Sequence, residues 1–275
     1  MFKRADNIVL LLTAAFCALM WRLLIQQQVR TRRSAPEPDY GKLLPPDEDR
    51  RETTFGIYFA GSRLGEAKTM IQRGPQGGFD IHNVTTLDLG ETLQRVFNVK
   101  GQVRLTSRAS IEPLSGLRRF SLQSDKLGVD IFGARKDEAL EIRGSLGDNR
   151  VDTTLPGGGS RFVTGLLSPL RGLPDLAEAA VGTRWEFHVV NPFSGALQTA
   201  TATIATSREV TLEGEPARAF LIRVKTPGSR WETWVTADGE VLLQGTPVGV
   251  TLRRSGVPES VFTALQEAAA EEDQI

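Results

Sequence analysis

Apolar and polar residues alternate along most of the chain, from about residue 55 to residue 256. At its start, Phe55, Ile57 and Phe59 alternate with Gly56 and Tyr58. Successive side chains of a strand point to opposite faces of a sheet, so this alternation assigns one face to the core and the other to water. Short turns separate the runs, and short connections favour antiparallel pairing. We therefore predict a mainly β protein with one large curved antiparallel sheet or half-barrel and short helical segments.

The runs between turns define the predicted strands of a β domain over residues 55–256. Asp238-Gly239, between two such runs, is a strong hairpin signal. Residues 257–275 are predicted to form a terminal helix and an acidic tail, with Val261, Phe262 and Leu265 on the apolar side. The predicted strands are 55–59, 64–73, 79–89, 94–105, 117–124, 128–134, 139–144, 149–154, 184–190, 197–207, 208–212, 217–226, 230–235, 240–245 and 248–254.

One segment, residues 156–181, departs from the alternation. It begins with three glycines at 157–159 and continues with leucines spaced by three and four residues, a spacing typical of helical turns. Gly165 and Pro169 limit any helix there to a turn or two. We interpret Phe162–Leu176 as an apolar loop with short helical pieces that covers one face of the sheet. A flexible lid over a pocket is the alternative.

The N-terminus adds a predicted transmembrane helix to this β domain. Residues 1–7 are a short basic segment, and residues 8–25 are apolar apart from Arg22. A spanning helix needs about 20 apolar residues, and an arginine near its end can reach the headgroups. Lys3 and Arg4 before an apolar run also suit a cleaved signal peptide. We favour the uncleaved anchor because a clear cleavage site is missing.

Residues 26–54 are rich in proline and charge and are predicted to form a linker. Within it, the cluster Arg30–Arg33 could alternatively touch anionic lipid headgroups. Basic residues flank the apolar segment on both sides, so the positive-inside count does not decide the orientation. Because a short basic start and an apolar run form the usual export signal, we predict a single-pass protein of the inner membrane with its C-terminal domain in the periplasm.

Composition narrows the classes of function. The 275-residue chain has 33 Lys+Arg and 33 Asp+Glu, so its formal net charge is zero, and nothing indicates a nucleic-acid partner. The single cysteine, Cys17, lies in the N-terminal apolar run. The β domain therefore lacks a disulfide, a thiol nucleophile and a thiolate metal site.

Candidate metal and catalytic residues are few. The two histidines, His82 and His188, are far apart, whereas a zinc site usually takes three or four protein ligands. Both histidines are better explained as residues on the polar face of a strand, or as partly buried core residues whose hydrogen bonds are satisfied. Gly157–Ser160 matches neither a nucleophile elbow nor a phosphate loop. We predict no metal, no cofactor and no catalytic residue, and the ligand-binding residues stay unassigned.

Carboxylate pairs give the alternative of an envelope hydrolase. Asp80 with Asp88, or Glu232 with Asp238, would have to meet across strands to act as acid and base. Any β protein with this many acidic residues offers such pairs by chance.

Large aromatic residues could mark a ligand or partner surface, although core packing is the default. Trp185 and Phe187 are predicted on one face of a strand, and Trp231 and Trp234 on opposite faces of another.

Three stretches together resemble a family of bacterial envelope domains. Tyr58–Gly65 resembles the family's opening hairpin, Trp234–Leu242 its closing hairpin, and Val181–Phe187 with Asn191–Phe193 its middle passage. Thr236 stands where the family tends to have aspartate. The family is an uncharacterised periplasmic β domain, found ahead of some transglutaminase-like domains and similar in architecture to lipoprotein carriers.

The resemblance covers about residues 55–254 and carries no catalytic residues to this chain. Through the lipoprotein carriers it implies an apolar or lipid ligand. We therefore expect a non-enzymatic binding or assembly module of the cell envelope, whose partner is a lipid or an envelope protein.

Overall fold

The computed structural model describes residues 43–74, 77–89, 101–113, 116–156, 176, 180–190, 197–246 and 249–272. The predicted transmembrane segment 8–25, most of the linker 26–54 and all but the last residue of Phe162–Leu176 lie outside these ranges. Among the described residues we find no helix with the length and apolar character that crossing a bilayer requires.

A single antiparallel sheet of fourteen strands contains every strand of the described residues. One α-helix, α1 (Glu259–Glu272), follows the last strand, and a 3-10 turn covers Asp125–Leu127. The strands are β1 (Arg50–Phe59), β2 (Ser62–Arg73), β3 (Phe79–Leu89), β4 (Gly101–Glu112), β5 (Gly116–Ser124), β6 (Val129–Lys136), β7 (Ala139–Leu146), β8 (Asn149–Pro156), β9 (Arg184–Val190), β10 (Leu197–Leu212), β11 (Glu215–Thr226), β12 (Ser229–Thr236), β13 (Val241–Gly245) and β14 (Val250–Arg254).

The sheet consists of two meanders joined at one seam. Its order is β8-β7-β6-β5-β4-β3-β2-β1-β14-β13-β12-β11-β10-β9. Consecutive strands pair within the first meander, β1–β8, and within the second, β9–β14, while the consecutive strands β8 and β9 lie at the two ends of this order and the seam pairs β1 with β14. There, the register runs from Phe55 opposite Arg254 to Phe59 opposite Val250. The prediction of one large antiparallel sheet is confirmed, and so is the terminal helix.

Strand boundaries follow the alternation, with differences at β10, β4 and the start of β1. The predicted strands 197–207 and 208–212 form one strand, β10, whose register to β11 shifts between Ile204 and Thr206. Such an irregularity bends a strand without ending its pairing, so the sequence pattern breaks while the strand continues. The described part of β4 starts at Gly101 and continues to Glu112, beyond the predicted end at residue 105.

The described domain begins upstream of residue 55. Strand β1 starts at Arg50, and Leu43 and Leu44 are buried in the core although they belong to the predicted linker. The Arg73 guanidinium donates hydrogen bonds to the carbonyls of Leu44, Pro45 and Glu48 and holds this segment against β2. The composition of the whole stretch is typical of a linker, but two adjacent leucines suffice to anchor its end.

The core of the first meander lies on one face of β2–β8. Phe120 illustrates its tight packing, because its ring lies over Gly133 on the neighbouring strand. A Cβ atom at residue 133 would lie 2.0 Å from the Phe120 ring, so only glycine fits there. The buried residues of this cluster are Leu43, Leu44, Ile71, Phe79, Ile81, Ala109, Ile111, Leu117, Phe120, Leu122, Val129, Ile131, Leu140, Ile142 and Val151.

The second meander is buried on both faces. On one face, Val261, Phe262, Leu265 and Ala268 of α1 pack against a cluster that includes Trp234. The other face holds a separate cluster, and Leu176, the last residue of the predicted covering segment, is buried in it. Burial on both faces explains why β11 and β12 contain runs of consecutive buried residues.

Helix α1 is expected to contribute to the stability of the second meander. Leu265 is fully buried on its apolar side, whereas its neighbour Gln266 is exposed. We predict that Leu265→Ala lowers the free energy of unfolding by about 2–5 kcal/mol, since it removes buried methyl groups and leaves a cavity. Urea unfolding followed by tryptophan fluorescence checks this, with Gln266→Ala as the control. An equal effect of both substitutions would contradict the packing role of the helix.

Ion pairs connect the seam to the hairpin between β12 and β13. Arg51 on β1 binds Glu48 at 2.6 Å and Glu240 at 2.5 Å, and Arg254 on β14 binds the other oxygen of Glu240. The Glu240 side chain is only 14% exposed. The hydrogen bonds to Glu48 and the charge of Glu240 raise the pKa of Arg51, against the opposing effect of burial. Glu240 therefore joins both strands of the seam to the hairpin between β12 and β13.

Glu240→Gln is expected to destabilise the fold because it leaves two half-buried guanidinium groups facing a neutral amide. We predict a loss of about 1–3 kcal/mol in the free energy of unfolding. Glu52→Gln is the control: Glu52 is 53% exposed and pairs with Arg50 at 3.5 Å, so its loss should cost less than about 1 kcal/mol. Urea unfolding of both variants provides the measurement, and comparable losses would argue against a connecting role for Glu240.

Candidate functional site

A groove of about 760 Å³ lies on the face of β2–β7 opposite the first meander's core. The alternation of side chains between the two faces of each strand produces this groove. Ile81 and Phe120 point into the core, so the next residues along their strands, His82 and Ser121, point into the groove. We call this the outer groove.

Cross-strand register arranges the side chains of the outer groove in two parallel rows. Each row takes one residue from each of the six strands β2 to β7, and directly opposite residues share a face. The first row is Met70, His82, Arg108, Ser121, Phe132 and Arg143, and the second is Gln72, Asp80, Ser110, Arg119, Ala134 and Glu141.

Four of these residues form a square of alternating arginine and serine at the centre of the outer groove. Arg108 lies opposite Ser121, and Ser110 lies opposite Arg119, so the two arginines occupy one diagonal and the two serines the other. Both arginines are exposed. Neither guanidinium has a hydrogen bond or an ion pair within the described ranges. We call these four residues the Arg–Ser square.

The acidic residues of the outer groove lie beside the square. Asp80 on β3 is directly opposite Ser110. Glu141 on β7 accepts a hydrogen bond from Arg143 at 3.1 Å and lies 3.8 Å from the Lys136 ammonium group, so its charge is already paired. The centre of the groove is therefore more basic than its ends.

Apolar side chains are also part of the outer groove. Phe132 is 47% exposed and lies between Ser121 and Arg143 in the first row. Among the described residues, Phe132 and Val181 are the large hydrophobic residues with high exposure. An exposed phenylalanine in a groove offers a contact surface for the apolar part of a ligand.

His82 belongs to the groove but is only half-exposed. Burial is the main cause that lowers its pKa below the ordinary value, and the charges of Arg108 and Arg104 lower it further. Its Nε2 atom is buried and has no hydrogen-bond partner among the described side chains and backbone. His82 lies on the polar face of its strand, which is one of the two predicted positions, whereas the predicted alternative of a partly buried histidine with satisfied hydrogen bonds does not agree with the unpartnered Nε2 atom.

The two histidines are not brought together, because His188 is on β9, opposite Thr199 in the other meander. In the described part of the chain, no three His, Cys, Asp or Glu side chains converge in a way that could hold a metal ion.

Neither of the two named carboxylate pairs meets. Asp80 and Asp88 are both on β3, eight residues apart, which corresponds to about 26 Å along a strand. Glu232 binds Arg223 at 2.9 Å and Arg230 at 3.1 Å, while Asp238 accepts a hydrogen bond from Thr236 in the turn beyond the end of β12. The other catalytic candidate, Gly157–Ser160, lies outside the described ranges.

The three tryptophans of the described residues pack in or against the core. Trp231 and Trp234 are on opposite faces of β12, as predicted: Trp234 is 2% exposed in the cluster with α1, and Trp231 is half-buried against the other cluster together with Trp185. Phe187 is part of β9, but its side chain is not among those that the structure describes.

Comparisons with known proteins give one structural similarity. No family model matches the chain, and no curated protein matches it. Among solved structures, the chain is similar to a beta-barrel-like protein of a domain of unknown function, DUF1849, from Brucella abortus, with a TM-score of 0.47 and 10% sequence identity. The match covers 76% of this chain and 96% of that chain. A similarity of this degree carries no information on ligand or activity.

His82 is expected to make stability depend on pH. Its lowered pKa means that the unfolded chain takes up a proton at about pH 6.5, before the folded protein does. The free energy of unfolding therefore falls as the pH drops from about 6.5 to the lower pKa that His82 has in the folded protein. Below that pKa the effect of His82 on stability no longer changes with pH. We predict that His82→Gln loses less stability than the wild type between pH 7.5 and pH 5, as measured by urea midpoints. Parallel pH profiles of the two proteins would contradict this.

Proposed function

We propose that this protein is a non-enzymatic binding module that holds a small amphiphilic ligand in the outer groove. The observation that carries the proposal is the groove itself. It measures about 760 Å³ and contains an exposed Phe132 and, diagonal to it, Arg119, which like Arg108 has no ion-pair partner among the described residues. Ligand sites for small molecules usually measure about 300–1,000 Å³ and combine apolar walls with a few polar groups. A surface for a folded protein partner would be wider and flatter.

The chemistry of the walls favours an amphiphile over a purely apolar ligand. Phe132, Met70 and Ala134 offer apolar contact, while Arg108, Arg119 and two serines are interleaved with them. A wholly apolar ligand would remove these charges from water without a replacement partner, which costs free energy. A wholly polar ligand would make no apolar contact with the exposed ring of Phe132.

A binding role is favoured over the hydrolase because Asp80 and Asp88 lie about 26 Å apart along one strand, and because Glu232 is already paired with Arg223 and Arg230. Asp80, the acid on the strand next to the square, is opposite Ser110 and is the diagonal neighbour of Arg108, and no carboxylate lies opposite it on either adjacent strand.

The proposed setting is the cell envelope. Residues 8–25 would anchor the chain in the inner membrane, residues 26–42 would act as a tether, and the β domain would stand in the periplasm. The apolar run after Lys3 and Arg4 supports this placement, as does the resemblance to periplasmic β domains. In that position, the groove would have direct access to membrane amphiphiles.

The test is whether the full-length protein, purified in a neutral detergent, carries an amphiphile that depends on Phe132. We predict that Phe132→Glu reduces the amount of co-purifying amphiphile, as measured by native mass spectrometry and organic extraction, by about tenfold or more, since it removes most of one aromatic contact. Val181→Glu is the matched control because Val181 is also highly exposed, at 54%, but lies outside the groove.

Equal amounts of amphiphile in the wild type and Phe132→Glu would place the ligand elsewhere on the protein. An equal reduction in both variants would show a general effect of surface charge.

A further inference from the structure

We propose that the Arg–Ser square binds a phosphate-type anionic headgroup, so that the ligand of the outer groove is an acidic amphiphile. This inference rests on the proposed function and specifies the chemical class of its ligand. The juxtaposition that carries it is the diagonal of Arg108 and Arg119, with Ser110 and Ser121 completing the square.

The geometry of the square suits a tetrahedral oxyanion. Diagonal neighbours on adjacent antiparallel strands are about 7–8 Å apart at their Cα atoms, which places two long arginine side chains within reach of one bound group. Guanidinium groups donate paired hydrogen bonds to phosphate or carboxylate oxygens, and the serine hydroxyls add two more donors. The three non-ester oxygens of a phosphate monoester point in different directions of a tetrahedron and can accept from donors on all sides of the square, whereas the two oxygens of a carboxylate lie in one plane.

Electrostatics favours an anion at this position. Two like charges that lie diagonally on a sheet repel each other, and no described carboxylate pairs with either of them. Other described arginines, Arg104 and Arg150 among them, also have no ion-pair partner within the described ranges, but Arg108 and Arg119 differ from these in lying on one diagonal of the groove. An anion between Arg108 and Arg119 would remove their repulsion, which makes this pair of arginines a binding feature rather than a stabilising one.

The carboxylate of Asp80 disfavours the binding of an anion at the square. It lies opposite Ser110, one strand away from the square, so its charge weakens the attraction for an anion. Removing that charge should strengthen the binding of an anionic headgroup. A purely structural role of the square predicts no such gain, which makes Asp80→Asn a diagnostic variant.

The register also sets the direction in which the ligand would lie. Phe132 is opposite Ser121 and is therefore the diagonal neighbour of Arg119 on the next strand. A headgroup on the square thus places the first carbons of its chain over the Phe132 ring. Glu141 and Arg143, which pair with each other, close the groove beyond this ring.

The test measures binding of three soluble probes to the full-length protein by titration calorimetry in a neutral detergent. Dihexanoyl phosphatidic acid has both a phosphate and chains, dihexanoyl phosphatidylcholine lacks the net negative charge, and glycerol 3-phosphate lacks the chains. We expect phosphatidic acid to bind about tenfold or more tightly than either of the others, and more weakly as salt increases.

The variants Arg108→Gln and Arg119→Gln should each weaken the binding of phosphatidic acid by about ten- to a hundredfold, as expected for the loss of one charged hydrogen-bond donor group. Asp80→Asn should strengthen it. Arg118→Gln is the matched control, because Arg118 is adjacent in sequence and exposed, but pairs with Glu112 outside the groove. It should bind like the wild type.

The outcomes separate the headgroup assignment from the proposed function. If both phospholipids bind equally and the two arginine variants bind like the wild type, the headgroup assignment is overturned while the amphiphile site stands. If glycerol 3-phosphate binds as tightly as phosphatidic acid, the square is an anion site and the lipid source is overturned. If none of the three probes binds, the proposed function fails together with this inference.

Discussion

Cross-strand register from β2 to β7 is the constraint on which both the core and the groove depend. Opposite residues of neighbouring strands share a face, so the same pairing that buries Ile81, Phe120 and Ile131 places His82, Ser121 and Phe132 on the outside. A slip of one residue in any of these strands would exchange the two sets. Burial of the core side chains therefore also fixes the positions of the groove side chains. A slip would expose the apolar residues of the core to water, which costs far more free energy than the polar face could gain by another pairing.

The seam between β1 and β14 has a different role, since it makes one sheet from two meanders. Glu240 connects it to the second meander by bonding Arg51 and Arg254. Arg253 adds a link to the helix: its guanidinium lies 4.9 Å from the Tyr58 ring centre and 5.5 Å from that of Phe262, and it pairs with Glu259. Charged groups thus hold the meanders together where the sheet has no local hairpin connection to do so.

The two meanders differ in whether both faces of the sheet are covered by apolar packing. The second meander is covered by α1 on one face and has a second apolar cluster on the other, so its side chains are used for packing. The first meander has one apolar core and leaves the opposite face of β2–β7 for polar and charged side chains. This division explains why the tryptophans of the second meander, which are natural candidates for a binding surface, pack in or against its two apolar clusters, while the groove contains a phenylalanine among arginines.

The amino-acid sequence by itself determined the local elements of this protein. Alternation and turn residues placed strands such as 79–89 and 184–190 and the terminal helix, because side-chain period and turn chemistry are properties of neighbouring residues. Tertiary structure alone decided that β1 and β14 lie side by side, that Leu43 and Leu44 join the core, and that Arg108, Arg119 and Phe132 share one groove. These three residues come from three different strands, and each is an ordinary outward-facing position in its own run. Only the register between strands brings them together, and register depends on contacts that no single stretch of sequence contains.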